Sequence, residues 1–110
     1  MAKSLYSQYL REREGADLIE FSWGFAVYKM AKDHVYLQDI YVVPEERQNG
    51  RGVELMNLVA DEARKQGVKT MYGSVAPSTQ FSDVMIKIMM GLGFKLHSSQ
   101  NDLIYLKKDI

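Results

Sequence analysis

The sequence predicts an α+β (mixed α/β) domain: a central mixed, mostly antiparallel sheet with helices on both faces. Three observations predict it. Short β-rich runs cluster toward both ends of the 110-residue chain. Two helical patterns stand singly between strand candidates in the second half, as in α+β and mixed sheets. The longest strand candidate is followed by a helix and another strand, the order of a parallel crossover. The length fits one domain over residues 1–110.

The chain opens on a helical pattern. Leu5, Tyr6, Tyr9 and Leu10 recur at helical spacing, and "REREG" closes that first helix. "DLIEF" and "GFAVYKMA" are β-rich and separated by Ser22, Trp23 and Gly24. "KDH", Lys32 to His34, makes the next turn. "VYLQDIYVV" is a strand that Pro44 ends, because proline cannot donate to a ladder. From Arg51 to Gln66, Val53, Met56, Val59, Ala60 and Ala63 share one helical face, with charged residues mostly opposite. Gly67 fits a left-handed cap. "VKTMYGSVA" reads as a strand. Phe81, Val84, Met85, Ile88, Met89 and Leu92 outline a second amphipathic helix, closed by Gly91 and Gly93. "FKLHS" and "LIYLKK" form a final antiparallel pair around "SQND".

Composition excludes several functions. Fourteen basic and fourteen acidic side chains cancel, which leaves no electrostatic footprint for nucleic acid. No cysteine is present, which excludes disulfides, thiolate metal sites and a cysteine nucleophile. The two histidines lie far apart and give no metal-site spacing, and seven methionines read as adaptable packing. The N-terminus lacks the apolar core of a signal peptide, and no run is long enough for a membrane span. A cytoplasmic protein without a membrane partner is expected.

The chemistry concentrates in "VVPEERQNGRGVEL". A polar loop with Gly50 and Gly52 leads from a strand into a helix. The first N–H groups of a helix have no internal partner, and the helix dipole adds partial positive charge. Glycine lets a ligand come close, and Arg47 and Arg51 bring charge. Together these make an anion site suited to a pyrophosphate. It is not the G-x-G-x-x-G fingerprint, since Leu55 takes the third glycine's place.

In its wider context, "YLQDIYVVPEERQNGRGVELMNLVADEARKQG" resembles the acetyl-CoA-binding segment of the GNAT N-acetyltransferases. The family's [QR]-x-x-G-x-[GA] reads here as Arg47-Gln48-Asn49-Gly50-Arg51-Gly52, after Val42-Val43-Pro44-Glu45. "GLGF", Gly91 to Phe94, is similar to the family's approach to its penultimate strand. The resemblance covers most of the chain and implies a GNAT-like fold truncated at the N-terminus. It implies acetyl-CoA as co-substrate, an amine acceptor and no metal. It also implies a bulge near Ile40 to Val43 that splays this strand from "TMYGSV". Tyr41, Val42 and Val43 would then meet the pantetheine arm, and Asn49 to Val53 the pyrophosphate. Ser82 falls where the family often has an asparagine.

Two positions depart from the family pattern. Met89 stands where the family's acid, a tyrosine, is expected, and Gln38 where relatives often carry a basic glutamate. Neither side chain can do that proton transfer. Asp39 as base and Tyr36 as acid are the leading candidate substitutes, with Tyr41, His34 and Glu20 behind them; the other reading of Asp39 is that it caps a bulge or pairs with a cation. The expected function is acetyl transfer from acetyl-CoA to a primary amine by direct attack. The alternative is a non-catalytic acyl-CoA-binding or protein-interaction module. A homodimer is expected through the exposed edge of the final strand pair.

Overall fold

A computed structural model describes residues 4–110. Helix α1 (Leu5–Glu14) starts at Ser4, whose hydroxyl accepts from the Ser7 N–H at 3.1 Å, and ends on left-handed Gly15. Strands β1 (Asp17–Phe21), β2 (Gly24–Met30) and β3 (Val35–Val42) form an antiparallel meander. A 3-10 turn, Pro44–Glu46, leads into α2 (Arg51–Lys65). Then come β4 (Thr70–Val75), α3 (Ser82–Gly91), β5 (Lys95–Gln100) and β6 (Leu103–Asp109). The six strands make one mixed sheet in the order β1-β2-β3-β4-β6-β5. Every strand and helix expected from the sequence is present. Asn101 and Asp102 both take positive φ, as the tight β5–β6 hairpin requires.

Strand alternation divides the core between the two faces of the sheet. Ala26, Tyr28, Val35, Met71 and Leu106 pack under α2 and α3 with Leu55, Met56, Val59, Ala60, Ala63 and Phe94. On the opposite face α1 covers only the β1–β2 side, where Leu10 and Ala16 pack on Val27 with Leu18 and Phe25 around them. That side of β4, β6 and β5 carries no helix, and β5 is exposed throughout.

Two expectations about packing change. In α2, Leu55 is fully buried, while Val53 is only half-buried because it faces a cleft. In α3, the apolar face enters the core only in part: Met89 is buried and Ile86 and Leu92 pack against the core half-buried, while Phe81, Val84, Met85 and Ile88 are exposed. The periodicity marks an apolar face correctly, but part of it lines open space.

The parallel pairing of β3 with β4 is short. It runs Val35↔Met71, Tyr36↔Tyr72, Leu37↔Gly73 and stops. The bulge lies earlier than the expected Ile40 to Val43. On β2, Val27 faces Asp39 and Tyr28 faces Leu37, which leaves Gln38 as the extra residue. A bulge bends its strand, and here the bend falls one residue beyond the last β3–β4 pair.

Candidate active site

Beyond Leu37 and Gly73 the two strands diverge, and a cleft of about 470 Å³ opens over the gap between α2 and α3. Its strand walls are Leu37 to Ile40 and Val42 on β3, with Gly73 and Ser74 on β4. Its helix walls are Gly52, Val53 and Met56 of α2 and Met85, Ile88 and Met89 of α3. Gln48, Gly50 and Arg51 close one end of it.

The α2 end is built to receive an anion. Gln48 and Gly50 both have positive φ, 66° and 78°, which turns the chain sharply into the helix. Gly50 is the N-cap and supplies no side chain, so the N–H groups of Arg51, Gly52 and Val53 have no intrahelical partner. Gly52 has no strained φ, and a Cβ built on it would meet nothing within 4 Å. The fold therefore does not require glycine at 52. What its lack of a side chain keeps clear is the cleft above the helix end.

The two arginines are already engaged. Arg51 ion-pairs with Glu46 at 3.3 Å and Glu54 at 3.0 Å, and its guanidinium lies 4.4 Å from the centre of the Trp23 ring. Arg47 donates from Nε to the Val42 carbonyl at 2.9 Å. Backbone N–H groups, more than arginine charge, are what this end offers a phosphate.

Ladder geometry decides which β3 backbone groups face the cleft. The Val43 N–H donates to the Trp23 carbonyl at 2.9 Å, so the alternation of an antiparallel pair turns Tyr41 toward β2 as well. Ile40 and Val42 point to the open side, and both line the cleft, unlike Tyr41 and Val43. Tyr41 instead stacks on Phe25 at 5.6 Å, on the α1 face. Asn49 is exposed and lies outside the cleft lining. Ser82 is also outside it, donating its hydroxyl to the Pro77 carbonyl at 2.9 Å. Ile40 was missed because the bulge, which sets the alternation, is not visible in the sequence.

Three polar side chains surround the gap. Asp39 pairs with Val27 and so points to the α1 face, although the residue also lines the cleft. It has no ion-pair partner among the described residues. It is an exposed residue, yet enough protein crowds its carboxyl for desolvation to raise its pKa, opposed by a hydrogen bond from the Ile40 backbone. Tyr36 does not line the cleft, but its hydroxyl lies 2.5 Å from the Ser74 hydroxyl, which does. This pair bridges β3 and β4 just where they separate. Ser74 was not singled out in the sequence, because only the β3–β4 register brings it to Tyr36. Gln38 donates its amide to Glu14 at 2.9 Å, tying α1 to the bulge.

An acyl-CoA thioester fits this arrangement by its parts. The open helix end matches a pyrophosphate, the Ile40–Val42 edge, which no strand covers and where Arg47 holds the Val42 carbonyl, matches an amide-bearing arm, and the cleft wall is mainly apolar. Among the described residues no group of histidine, aspartate or glutamate could hold a metal, and no helix is long and apolar enough to cross a membrane.

Comparison with known proteins agrees with this fold. Residues 4–85 match the model of the acetyltransferase (GNAT) family. No curated protein sequence matches the chain significantly. A nourseothricin acetyltransferase structure is 24% identical with a TM-score of 0.65, over 78% of this chain. The chain spans 56% of that protein's length. A GNAT family acetyltransferase from Elizabethkingia anophelis, with acetyl-CoA bound, has a TM-score of 0.75 at 16% identity, covering 99% of this chain and 84% of the other. A PaiA N-acetyltransferase from Thermoplasma acidophilum, in complex with coenzyme A, has a TM-score of 0.75 at 19% identity, covering 96% and 69%. At such identities the likeness to these structures is one of fold.

Proposed function

The chain belongs to the GNAT acetyltransferase family, and from that premise we propose that it moves an acetyl group from acetyl-CoA to a primary amine by direct attack. The observation that carries this reading is the uncapped α2 end opening, past Gly52, into a cleft over splayed strands. Gly50, Arg51, Gly52 and Val53 hold the pyrophosphate through backbone N–H groups, with Gln48 and Arg47 beside them. Ile40 and Val42 receive the pantetheine arm as an added strand would be received. When bound, the thioester supplies an activated acyl carbon and a thiolate leaving group.

The protein's own groups handle the protons. As the amine nitrogen bonds to the acyl carbon and the carbon–sulfur bond breaks, one proton must leave nitrogen and one must reach sulfur. Asp39, with no ion-pair partner among the described residues and a raised pKa, takes the first. The Tyr36 hydroxyl delivers the second through Ser74, whose hydroxyl borders the cleft. Positioning supplies much of the rate enhancement. Calorimetric titration with acetyl-CoA, followed by thiol release over a panel of amines, tests the proposal. Absence of acetyl-CoA binding would refute it.

A second reading is favoured by Gln38 and Met89, which cannot supply the family's usual acid and base. In it the domain is a non-catalytic acyl-CoA-binding or protein-interaction module. Tight acetyl-CoA binding without thiol release for any amine supports that reading instead.

A further inference from the structure

At the apex of the cleft, where the β3–β4 ladder ends, Gly73 has no side chain and Met89 fills the space above it. A Cβ built on Gly73 would lie 2.6 Å from the Met89 terminal methyl and 4.0 Å from the Phe94 ring. Met89 is the buried residue of α3, whereas Met85 and Ile88 on the same cleft wall are exposed. Its backbone is fixed: the Met89 carbonyl accepts from the Leu92 and Phe94 N–H groups, both at 3.0 Å. Its side chain is not fixed in the same way. Methionine is unbranched, with three rotatable bonds, and adapts its shape cheaply.

Resting on the acetyl-CoA reading of the cleft, we infer that Met89 is the stop that sets the acyl-chain length the protein accepts. The thioester end of a ligand anchored at α2 and laid along Ile40 and Val42 reaches the apex between Leu37 and Gly73. With the Met89 methyl over Gly73, that apex holds a two-carbon acyl group. The Cβ position built on Gly73 lies 4.0 Å from the buried Phe94 ring, so an apolar group stands beside the methyl at the apex. Space freed by moving or shortening the Met89 side chain is therefore bordered by an apolar ring and suited to more methylene groups. Met89 is a specificity residue here and takes no part in proton transfer.

Calorimetry with CoA, acetyl-CoA, butanoyl-CoA and hexanoyl-CoA tests this on the parent, Met89→Ala and Gly73→Ala. Free CoA is the internal reference, because it does not reach the apex. Met89→Ala removes three heavy atoms and should improve hexanoyl-CoA relative to CoA by about tenfold, the worth of two buried methylenes. Gly73→Ala pushes the Met89 methyl into the cleft and should weaken acetyl-CoA severalfold relative to CoA. Met89→Leu is nearly volume-conserving and folds even where Ala does not. Being shorter by one atom, it should admit butanoyl-CoA better than the parent does. If CoA binds all variants but chain-length preference is the same in each, the inference is overturned while the cleft assignment stands. If the parent binds neither CoA nor acetyl-CoA, the cleft assignment fails and the inference falls with it.

Discussion

Helix α2 buries Leu55, Met56, Val59, Ala60 and Ala63 against β2 and β3. Helix α3, which is richer in apolar residues, buries Met89 and leaves Phe81, Val84, Met85, Ile88 and Met90 exposed. The two helices wall the same cleft, yet one is a packed scaffold and the other is held by buried Met89 with half-buried Ile86 and Leu92 beside it. An apolar stripe reports a surface that gains by leaving water, but it does not say what will cover it. For α2 the cover is the sheet. For Met85 and Ile88 of α3 it is whatever occupies the cleft.

Paired truncations are the strongest way to break that contrast. Leu55→Ala removes a fully buried side chain and should cost about 2–5 kcal/mol of stability, read from denaturant unfolding. Ile88→Ala should change stability by no more than about 0.5 kcal/mol while weakening acetyl-CoA. A large stability loss for Ile88→Ala with unchanged acetyl-CoA affinity would make α3 an ordinary core helix.

Asp39, on the strand between the two walls, should separate chemistry from scaffold. Asp39→Asn is expected to lower turnover at least about a hundredfold. In the parent, turnover should rise with pH through a raised carboxyl pKa, and that limb should vanish in the variant. The stability effect has the opposite sense. With the native pKa raised, the folded chain binds the proton more tightly than the unfolded one. Stability therefore falls as pH climbs from the ordinary carboxyl pKa through the raised native one. Asp39→Asn removes that fall and should be slightly more stable at neutral pH. A variant that keeps full turnover would clear Asp39 of the base role.

Gly52→Asp probes the scaffold wall without disturbing it. The side chain enters open space at a helix start, where a negative charge is welcome, so thermal stability should hold. Acetyl-CoA affinity should drop by roughly ten- to a hundredfold through like-charge repulsion. Undiminished affinity would move the pyrophosphate elsewhere.

The smallest effect is expected at the far edge of the sheet. We propose that two copies pair along β5, an edge strand exposed over its whole length. Sedimentation in the micromolar range should show a mass above that of one 12.6 kDa chain, without change in turnover. A constant single-chain mass would exclude the pairing.

Much of the fold was legible because local chemistry repeats along the chain. Pro44 ended a strand, Gly67 took the left-handed conformation expected after α2, and alternation in "TMYGSV" became alternating burial. The candidate anion loop was legible for the same reason, since a helix start and its glycines are neighbours in sequence. The polar groups around the gap were less so. Asp39 and Tyr36 were visible as odd residues in a β-rich strand. Ser74 was not, because its meeting with Tyr36 spans 38 residues and depends on a three-residue parallel register.

By itself the sequence determined the order of elements and the open helix start after Gly50. These follow from steric and hydrogen-bonding rules that act over one to four residues. Only the tertiary structure decided that the bulge falls at Gln38, that Ile40 and Val42 rather than Tyr41 and Val43 face the cleft, and that Met89 sits over Gly73. The physical reason is period. A strand repeats every two residues, so one extra residue at Gln38 reverses which face and which edge every later residue presents. Nothing local to "LQDIYVV" marks that extra residue, because it appears only in the register of β3 against β2.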